Sequence, residues 1–580
     1  MRVTFLESLR RNLAHTDALL PLVLVGVVSG ACSGLAIIAL RLLAESSFLT
    51  FGIRDTAEDF EALAWPWRIG LPVAGGLAIG ILMTNVSAAT RQVGVVHVME
   101  RLAYHAGRLP WRNAVLQFVG ATIAIISGHS VGREGPSIHV GAASASLLGQ
   151  SLHLPNNSIR ILVACGTAAA IAASFNTPIA GVIFAMEVVM MEYTLVGFTP
   201  VILAAVCATS MTRFVFGTTP IVDAPAVQMA SLLELPYMML VGLALGSMAS
   251  LFIAGVRRLD QRSQGLPVWM RTTAAGLITG ICALAAPQIM GVGYDTVELA
   301  LVGALGLSAL VLIVTLKLVA TTACIGLGVP GGLIGPTVVM GALGGGALGV
   351  IGHELVPQFS ASSGFYALLG MGAMMGATLQ APLAALMAIL ELTANPNSIL
   401  PGMVVIVTAT LTSRILFGNE SIYVTVLRSR GLEYRNDPVA AALSRTGVGA
   451  IMNRCFTMAP PRTSLASAKS IFRGIPEWIV IEGQGEDQGL RLSSVSEEQL
   501  DAVIAALEPG DAHESAELTA DHGQGCALVR ADATLREALD AMDRDATDVA
   551  AIMGSSRRES GNVHGILSRD QIEAAVRYGG

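Results

Sequence analysis

Four stretches of this chain, residues 19–40, 113–132, 235–256 and 318–352, carry no Asp, Glu, Lys or Arg over 22, 20, 22 and 35 consecutive positions. A helix that crosses a bilayer needs about 20 apolar residues, and a soluble core has no use for runs this long. Composition agrees. Only 13% of the 580 residues are charged and 53% are hydrophobic, where ordinary soluble domains run near a quarter charged. The chain reads as a polytopic membrane protein and not as a water-soluble enzyme. Its net charge of −7 excludes a nucleic-acid partner, which calls for a basic face. The seven cysteines stand singly, without metal-site spacing, so neither a structural metal nor disulfides are expected. Arg2, Arg10 and Arg11 precede the first run, which is too long for a secretory signal. Basic residues flanking the first span place the N-terminus in the cytoplasm.

The most informative pattern is a duplication. Gly132-Arg-Glu-Gly-Pro136, Gly141 and Gly149 match Gly332-Leu-Ile-Gly-Pro336, Gly341 and Gly349, with spacings of 4, 5 and 8 in both. Pro178 and Glu187 match Pro382 and Glu391, and Arg213-Phe-Val-Phe-Gly217 matches Arg414-Ile-Leu-Phe-Gly418. Glu187, with its mate Glu391, reads as structural. The repeats span about 19–217 and 235–427. Duplicated membrane domains of this kind place their transport site where the copies meet near the midplane.

Gly-Pro motifs inside apolar segments break helices, and broken backbone is tolerated in a bilayer only where it lines a cavity or is buried in protein. Two symmetric breaks therefore predict two helix N-termini aimed at one interior point. Each offers unpaired N–H donors and about half a positive charge, which suits an anion and repels a cation. Dehydrating a small anion costs tens of kcal/mol by Born estimates. Several amides at roughly 4–6 kcal/mol each in an apolar setting offset that cost without the grip of a full lysine charge, and conduction needs such a balance. Lys317 is read as standing near a segment end, outside this arrangement.

Gly132–Pro136, the stretch 166–178, Val329-Pro-Gly-Gly-Leu-Ile-Gly-Pro336 and Ile422-Tyr423 together resemble the CLC family of chloride channels and chloride/proton antiporters. The resemblance implies an all-α inverted repeat of broken, tilted helices, a homodimer with a pore in each subunit, and chloride or a similar small anion as the transported partner, with protons in the antiporters. Glu134 matches the family's gating glutamate; the alternative is a capping carboxylate paired with Arg133. Tyr423 matches its anion-coordinating tyrosine; the alternative is an interfacial tyrosine. Arg133, Gly135, Leu333 and Ile334 complete the implied anion site, with Ile334 standing where the family commonly has Phe. Two departures bear on function. Gln92-Val-Gly-Val-Val96 aligns with the family's Gly-Ser-Gly-Ile-Pro, so Val93, beside Gly94, replaces a serine hydroxyl at the central site. Val188 occupies the position of the antiporters' internal proton glutamate, which slightly favours a passive chloride channel over an antiporter. His97, His129 and His139 flank the pore, either as proton relays or as ordinary hydrogen-bonded histidines.

Composition turns polar beyond about residue 452. Residues 534–542 have helical spacing, 549–553 and 563–567 read as strands, 570–576 as a closing helix, and 451–480 as an earlier unit of helix-then-strand order. This module resembles a CBS-domain pair, which implies either adenine nucleotide binding at the 565–570 stretch or dimer bracing without ligand. The expected organisation is a cytoplasmic N-terminal helix over 1–18, a transport domain over 19–430, a linker over 431–447 and a cytoplasmic α/β module over 448–580, in a cell or inner membrane. Gly128-His-Ser-Val-Gly132 also fits the elbow of serine hydrolases, which leaves an intramembrane hydrolase as a distant alternative.

Overall fold

A computed structural model describes residues 5–15, 18–50, 60–217, 229–358, 360–432, 438–459, 462–463, 477–482, 490–494, 516–517, 524–554 and 562–578. The chain divides into two units. One comprises residues 22–149 and 159–435, the other residues 1–21, 150–158 and 436–580.

The larger unit is helical, and among the described residues nine helices of the chain are long and apolar enough to cross a membrane. They follow the duplication. Trp65–Thr84 is paired in the second copy by Val268–Ala285, Gly94–Tyr104 by Tyr294–Leu301, and Trp111–Ile126 by Leu307–Gly326. Glu134–Ser151 is paired by Ile334–Leu355, and Pro178–Phe184 by Pro382–Thr393. Where the copies meet, Gly132 N–H donates to Gly332 O at 2.7 Å and Gly332 N–H to Gly132 O at 2.6 Å, an antiparallel bridge. The inverted repeat of broken helices expected from the sequence is therefore present.

A second reciprocal exchange ties the copies together. The Glu187 carboxylate accepts from the N–H groups of Leu383 and Ala384 at 3.3 and 2.7 Å. Glu391 accepts from Ile179 and Ala180 at 2.9 and 2.7 Å. Each glutamate caps the proline-led helix of the opposite repeat, satisfying donors that a helix start leaves open in an apolar medium.

Close helix crossings depend on glycine. A Cβ on Gly141 would stand 2.6 Å from Gly166 O, and one on Gly370 would collide with Gly341 O and stand 2.9 Å from Gly345 Cα. Each copy thus packs its broken helix against the next by backbone contact, the small-residue packing that substitutes for a hydrophobic drive between helices in lipid. Large apolar side chains such as Leu240, Leu251 and Ile415 face outward, as lipid-exposed surfaces require.

Lys317 corrects the sequence reading. It lies within Leu307–Gly326, wholly buried, and its ammonium donates to the carbonyls of Ile289, Gly291 and Val292 at 3.1, 2.9 and 2.9 Å. A run of carbonyls in an unwound loop is what makes a buried ammonium tolerable there.

In the smaller unit, Leu13 O at the end of helix Phe5–Ala14 accepts from Asn157 Nδ2 at 3.0 Å and Ser158 Oγ at 2.9 Å. Asn156 Nδ2 donates to both Glu537 oxygens at 2.9 Å. Glu537 also closes a capping box with Thr534 at the start of Leu535–Arg544. Strand Val549–Met553 runs between Ala527–Arg530, parallel, and Val563–Ser568, antiparallel, followed by helix Arg569–Tyr578. A further sheet has the order Phe456–Ala459, Trp478–Glu482, Leu490–Ser494, Gln524–Gly525. The helix expected within 451–480 falls largely on residues 464–476, outside the described residues. The presumed linker over 431–447 contains a helix, Pro438–Arg445.

The crossing geometry has a direct test. Gly370→Val should lower the thermal midpoint of the purified protein by several degrees, since overpacking a tight contact costs about 1–3 kcal/mol or more. Gly70→Ala, where an added Cβ meets nothing within 4 Å, should leave the midpoint unchanged or slightly raised.

Candidate anion-binding site

The Gly132–Gly332 bridge sets two helix starts side by side, and the site is built around them. A Cβ on Gly332 would stand 2.5 Å from Gly135 N, and one on Gly135 would stand 2.8 Å from Gly332 Cα. Only glycine permits this approach, so both repeats keep it. Glu134 is the first residue of one broken helix, yet its carboxylate reaches across to the other. Gly335 N–H donates to Oε2 at 3.2 Å, and the Tyr294 hydroxyl donates to Oε1 at 2.5 Å. The side chain is wholly buried. The capping alternative, a Glu134–Arg133 pair, is not the arrangement found. The Arg133 guanidinium instead stands 5.8 Å from the centroid of the Tyr294 ring, within cation–π range.

Tyr294 is the functional candidate that sequence reading missed. It opens the short helix Tyr294–Leu301 after Gly293, whose φ of 88° is left-handed, and packs edge-on against Phe175 with centroids 6.3 Å apart. The loop preceding it is the one gripped by Lys317, so the buried ammonium fixes the phenol's position. The duplication held a signal. Residue 294 lies 200 positions after Gly94, whose helix also starts beside a left-handed glycine, at φ 83°.

At Gly135, the residue after Glu134, opens a cavity of about 680 Å³ lined also by Val93, Gly94, Gln117, Leu333 and Tyr423 among others. Leu333 is the N-cap of Ile334–Leu355, and Ile334 is its first, buried residue. Tyr423 is buried, with a hydroxyl that has no hydrogen-bond partner among the described residues. A free buried phenol is costly, and a donor left open toward a cavity suits an acceptor that comes and goes. Val93 lines the same space and supplies no hydroxyl there. Gln117 donates its amide to Pro330 O at 2.9 Å, leaving its Oε1 unpartnered. Arg91, Arg271 and Arg430 also line the cavity against a single acid, Asp260, which lies 3.7 Å from Arg271. Its wall is therefore net positive, a field that concentrates anions.

Of the sequence-predicted residues, Gly135, Leu333, Tyr423, Val93 and Gly94 line one cavity, and Glu134 and Ile334 adjoin it as the first residues of the two broken helices. Arg133 stands off, against Tyr294. Val188 is buried in the π-helical turn Ala185–Met190, away from the cavity lining. Ser130, of the hydrolase-like elbow, pairs with the Thr321 hydroxyl at 2.9 Å and not with a histidine.

Comparison with known proteins bears on the family and the fold. The profile of the voltage gated chloride channel family matches residues 75–414. A ClcB-like protein of Ralstonia nicotianae, named for chloride channels, is 31% identical over 433 residues, covering 72% of this chain and all of that one. The H(+)/Cl(-) exchange transporter ClcA of Salmonella paratyphi B is 26% identical over 431 residues, covering 73% and 91%. Among solved structures, a slow cyanobacterial Cl-/H+ antiporter aligns with a TM-score of 0.61 at 24% identity, covering 74% of this chain and 99% of that one. A eukaryotic CLC transporter aligns with a TM-score of 0.61 at 19% identity, covering 95% and 97%.

Because the Lys317 ammonium holds three carbonyls beside Tyr294, Lys317→Met should destabilise the folded protein by about 3 kcal/mol, the usual cost of leaving buried polar groups without their charged partner. Thermal unfolding in detergent reads this out, and Lys317→Arg should recover part of it.

Proposed function

This chain belongs to the voltage gated chloride channel family, and we propose that it is a chloride/proton antiporter in which Glu134 is both gate and proton carrier. The observation that carries the reading is the Glu134 carboxylate bound to an amide at the opposite repeat's helix start. A carboxylate in that position takes the donors that a chloride ion would take. Protonation removes its charge, weakens its hold on the amide and on Tyr294, and frees the site for the anion. Carboxylate and chloride are then alternatives at one locus, and chloride entry depends on proton binding there, which couples the two ions. Gly135, Leu333 and Ile334 supply the backbone donors, and the Tyr423 hydroxyl serves the ion nearer the cavity. The positive wall supports accumulation of chloride from the solvent side.

Val188 favours the second reading, passive conduction. That preference loses ground to the relatives: a protein 26% identical over most of its length is named as an exchanger, and the carboxylate's position supports coupling without a glutamate at 188. Val93 in place of a hydroxyl weakens the hold on a second, central ion, which predicts a low coupling of chloride to protons rather than none. In the same reading the protein is a homodimer with a pore per subunit, set in a cell membrane with both termini cytoplasmic. Residues 448–580 are read as a CBS-domain pair. The strand Val549–Met553 between Ala527–Arg530 and Val563–Ser568, with the helices Leu535–Arg544 and Arg569–Tyr578, supports that reading, and an adenine nucleotide or simple bracing of the dimer are its two candidate roles.

Reconstituted liposomes provide the test. A chloride gradient should drive protons uphill, and a gradient that moves chloride without protons would leave only the passive reading. Glu134→Gln should abolish proton movement and make chloride flux independent of pH. Tyr294→Phe removes a donor that holds the carboxylate in the site, so chloride flux at neutral pH should rise by about tenfold, the equivalent of a hydrogen bond to a charged group.

A further inference from the structure

Exchange requires a route by which protons reach the wholly buried Glu134 carboxylate, and Val188 contributes no titratable atom. We propose that a buried histidine pair, His97 and His139, is that route, with Glu100 as its aqueous entry. The proposal rests on the exchange reading above.

His139 lies on the same broken helix as Glu134, five residues on, and is wholly buried. His97 lies on Gly94–Tyr104 and is 2% exposed. Their rings meet through Nδ1 of His97 and Nε2 of His139 at 2.9 Å, with centroids 5.1 Å apart. The other nitrogen of His139, Nδ1, is buried without a partner among the described residues. A structural histidine satisfies both nitrogens when buried; this one keeps one open.

Glu100 stands three residues beyond His97 on one helix, so the two side chains share a face, and helical side chains lean toward the N-terminus, which brings Glu100 over His97. Turned with its nitrogen inward, the Gln92 amide donates to both Glu100 oxygens at 2.9 and 3.0 Å. Gln92 and Arg430 both line the cavity, so Glu100, held by Gln92, stands next to its wall. The charged and titratable groups bearing on His97 are His139, Arg101, Arg430 and His105. From the π-helical turn packed against this helix comes Glu187, whose carboxylate is taken by Leu383 and Ala384. From helix Ile422–Ser429 comes Tyr423, whose hydroxyl serves the cavity.

The proton balance is simple, because a neutral imidazole holds one donor and one acceptor nitrogen. A proton leaves the Glu100 carboxyl for Nε2 of His97. Nδ1–H of His97 passes its proton to Nε2 of His139. Nδ1–H of His139 gives its proton to water, which passes one of its own to the Glu134 carboxylate, the side chain that starts the same helix five residues back, an axial rise of about 7.5 Å. Each ring then returns by exchanging its donor and acceptor nitrogens. Nothing is oxidised or reduced, and Glu100 regains its proton from the cavity.

The test is chloride-driven proton uptake in liposomes containing full-length protein, with chloride flux recorded at the same time. His139→Gln and His97→Gln keep an amide in the ring's place but cannot relay a proton. Each should cut proton movement at least tenfold while chloride flux stays within about twofold, and Glu100→Gln should slow protons by a smaller factor. Proton movement unchanged in His139→Gln, beside a wild type that pumps, overturns the relay and leaves the exchange reading standing. A wild type that moves no protons removes the exchange reading and the relay with it. Should the variants fail to fold, infrared difference spectra of wild-type protein bearing ¹⁵N-histidine decide the matter. Replacing chloride with gluconate should shift imidazole bands, and bands that do not respond overturn the proposal.

Discussion

Two peptide hydrogen bonds, Gly132 to Gly332 and back, hold this molecule's function. Each repeat contributes a helix that stops short inside the membrane, and neither could leave its amides bare in hydrocarbon. By pairing their last extended residues, the two segments spend the donors that must be buried and leave those that face a common point. A side chain at Gly332 or Gly135 would force the helices apart, and one at Gly132 would displace the Glu134 carboxylate. The dipoles would then no longer add, and the site would lose its capacity to replace water around an ion. The reciprocal capping by Glu187 and Glu391 and the backbone crossings at Gly141 and Gly370 serve the same end, since they fix the angle at which the two copies meet.

Charge is managed with equal economy. The protein does bury a lysine, but three carbonyls occupy its ammonium, and its work is to brace the loop before Tyr294. That phenol in turn points at Glu134. Arg91, Arg271 and Arg430 stand on the cavity wall, where they favour anions, and Arg133 stands over the Tyr294 ring. The donors that meet the Glu134 carboxylate are an amide and a hydroxyl, groups strong enough to offset dehydration and weak enough to release an ion.

The duplicated spacing made much of this legible in advance. It located the breaks, the convergence, Glu134 and the reciprocal glutamates, because those features are written in local sequence twice. The polar C-terminal module was legible for the same kind of reason: strand Val549–Met553 and helix Leu535–Arg544 each carry their pattern within a few residues. Tyr294, Lys317 and the histidine pair were not readable in their roles. Tyr294 acts on a residue 160 positions away and His139 on one 42 away, and nothing in the neighbouring sequence of either names its partner. Lys317 misled for a related reason. A lysine in an apolar run looks like the edge of a segment unless the carbonyls that neutralise it can be seen.

The convergence of the two helix starts on one ion is the claim beneath all the rest. Anomalous diffraction from crystals of the Glu134→Gln protein grown in bromide tests it most directly. The account predicts a bromide peak against the amides that open Ile334–Leu355, in the place the carboxylate holds, with a weaker one near the Tyr423 hydroxyl. Bromide absent from both positions, or gathered only at the arginines of the cavity wall, would contradict it.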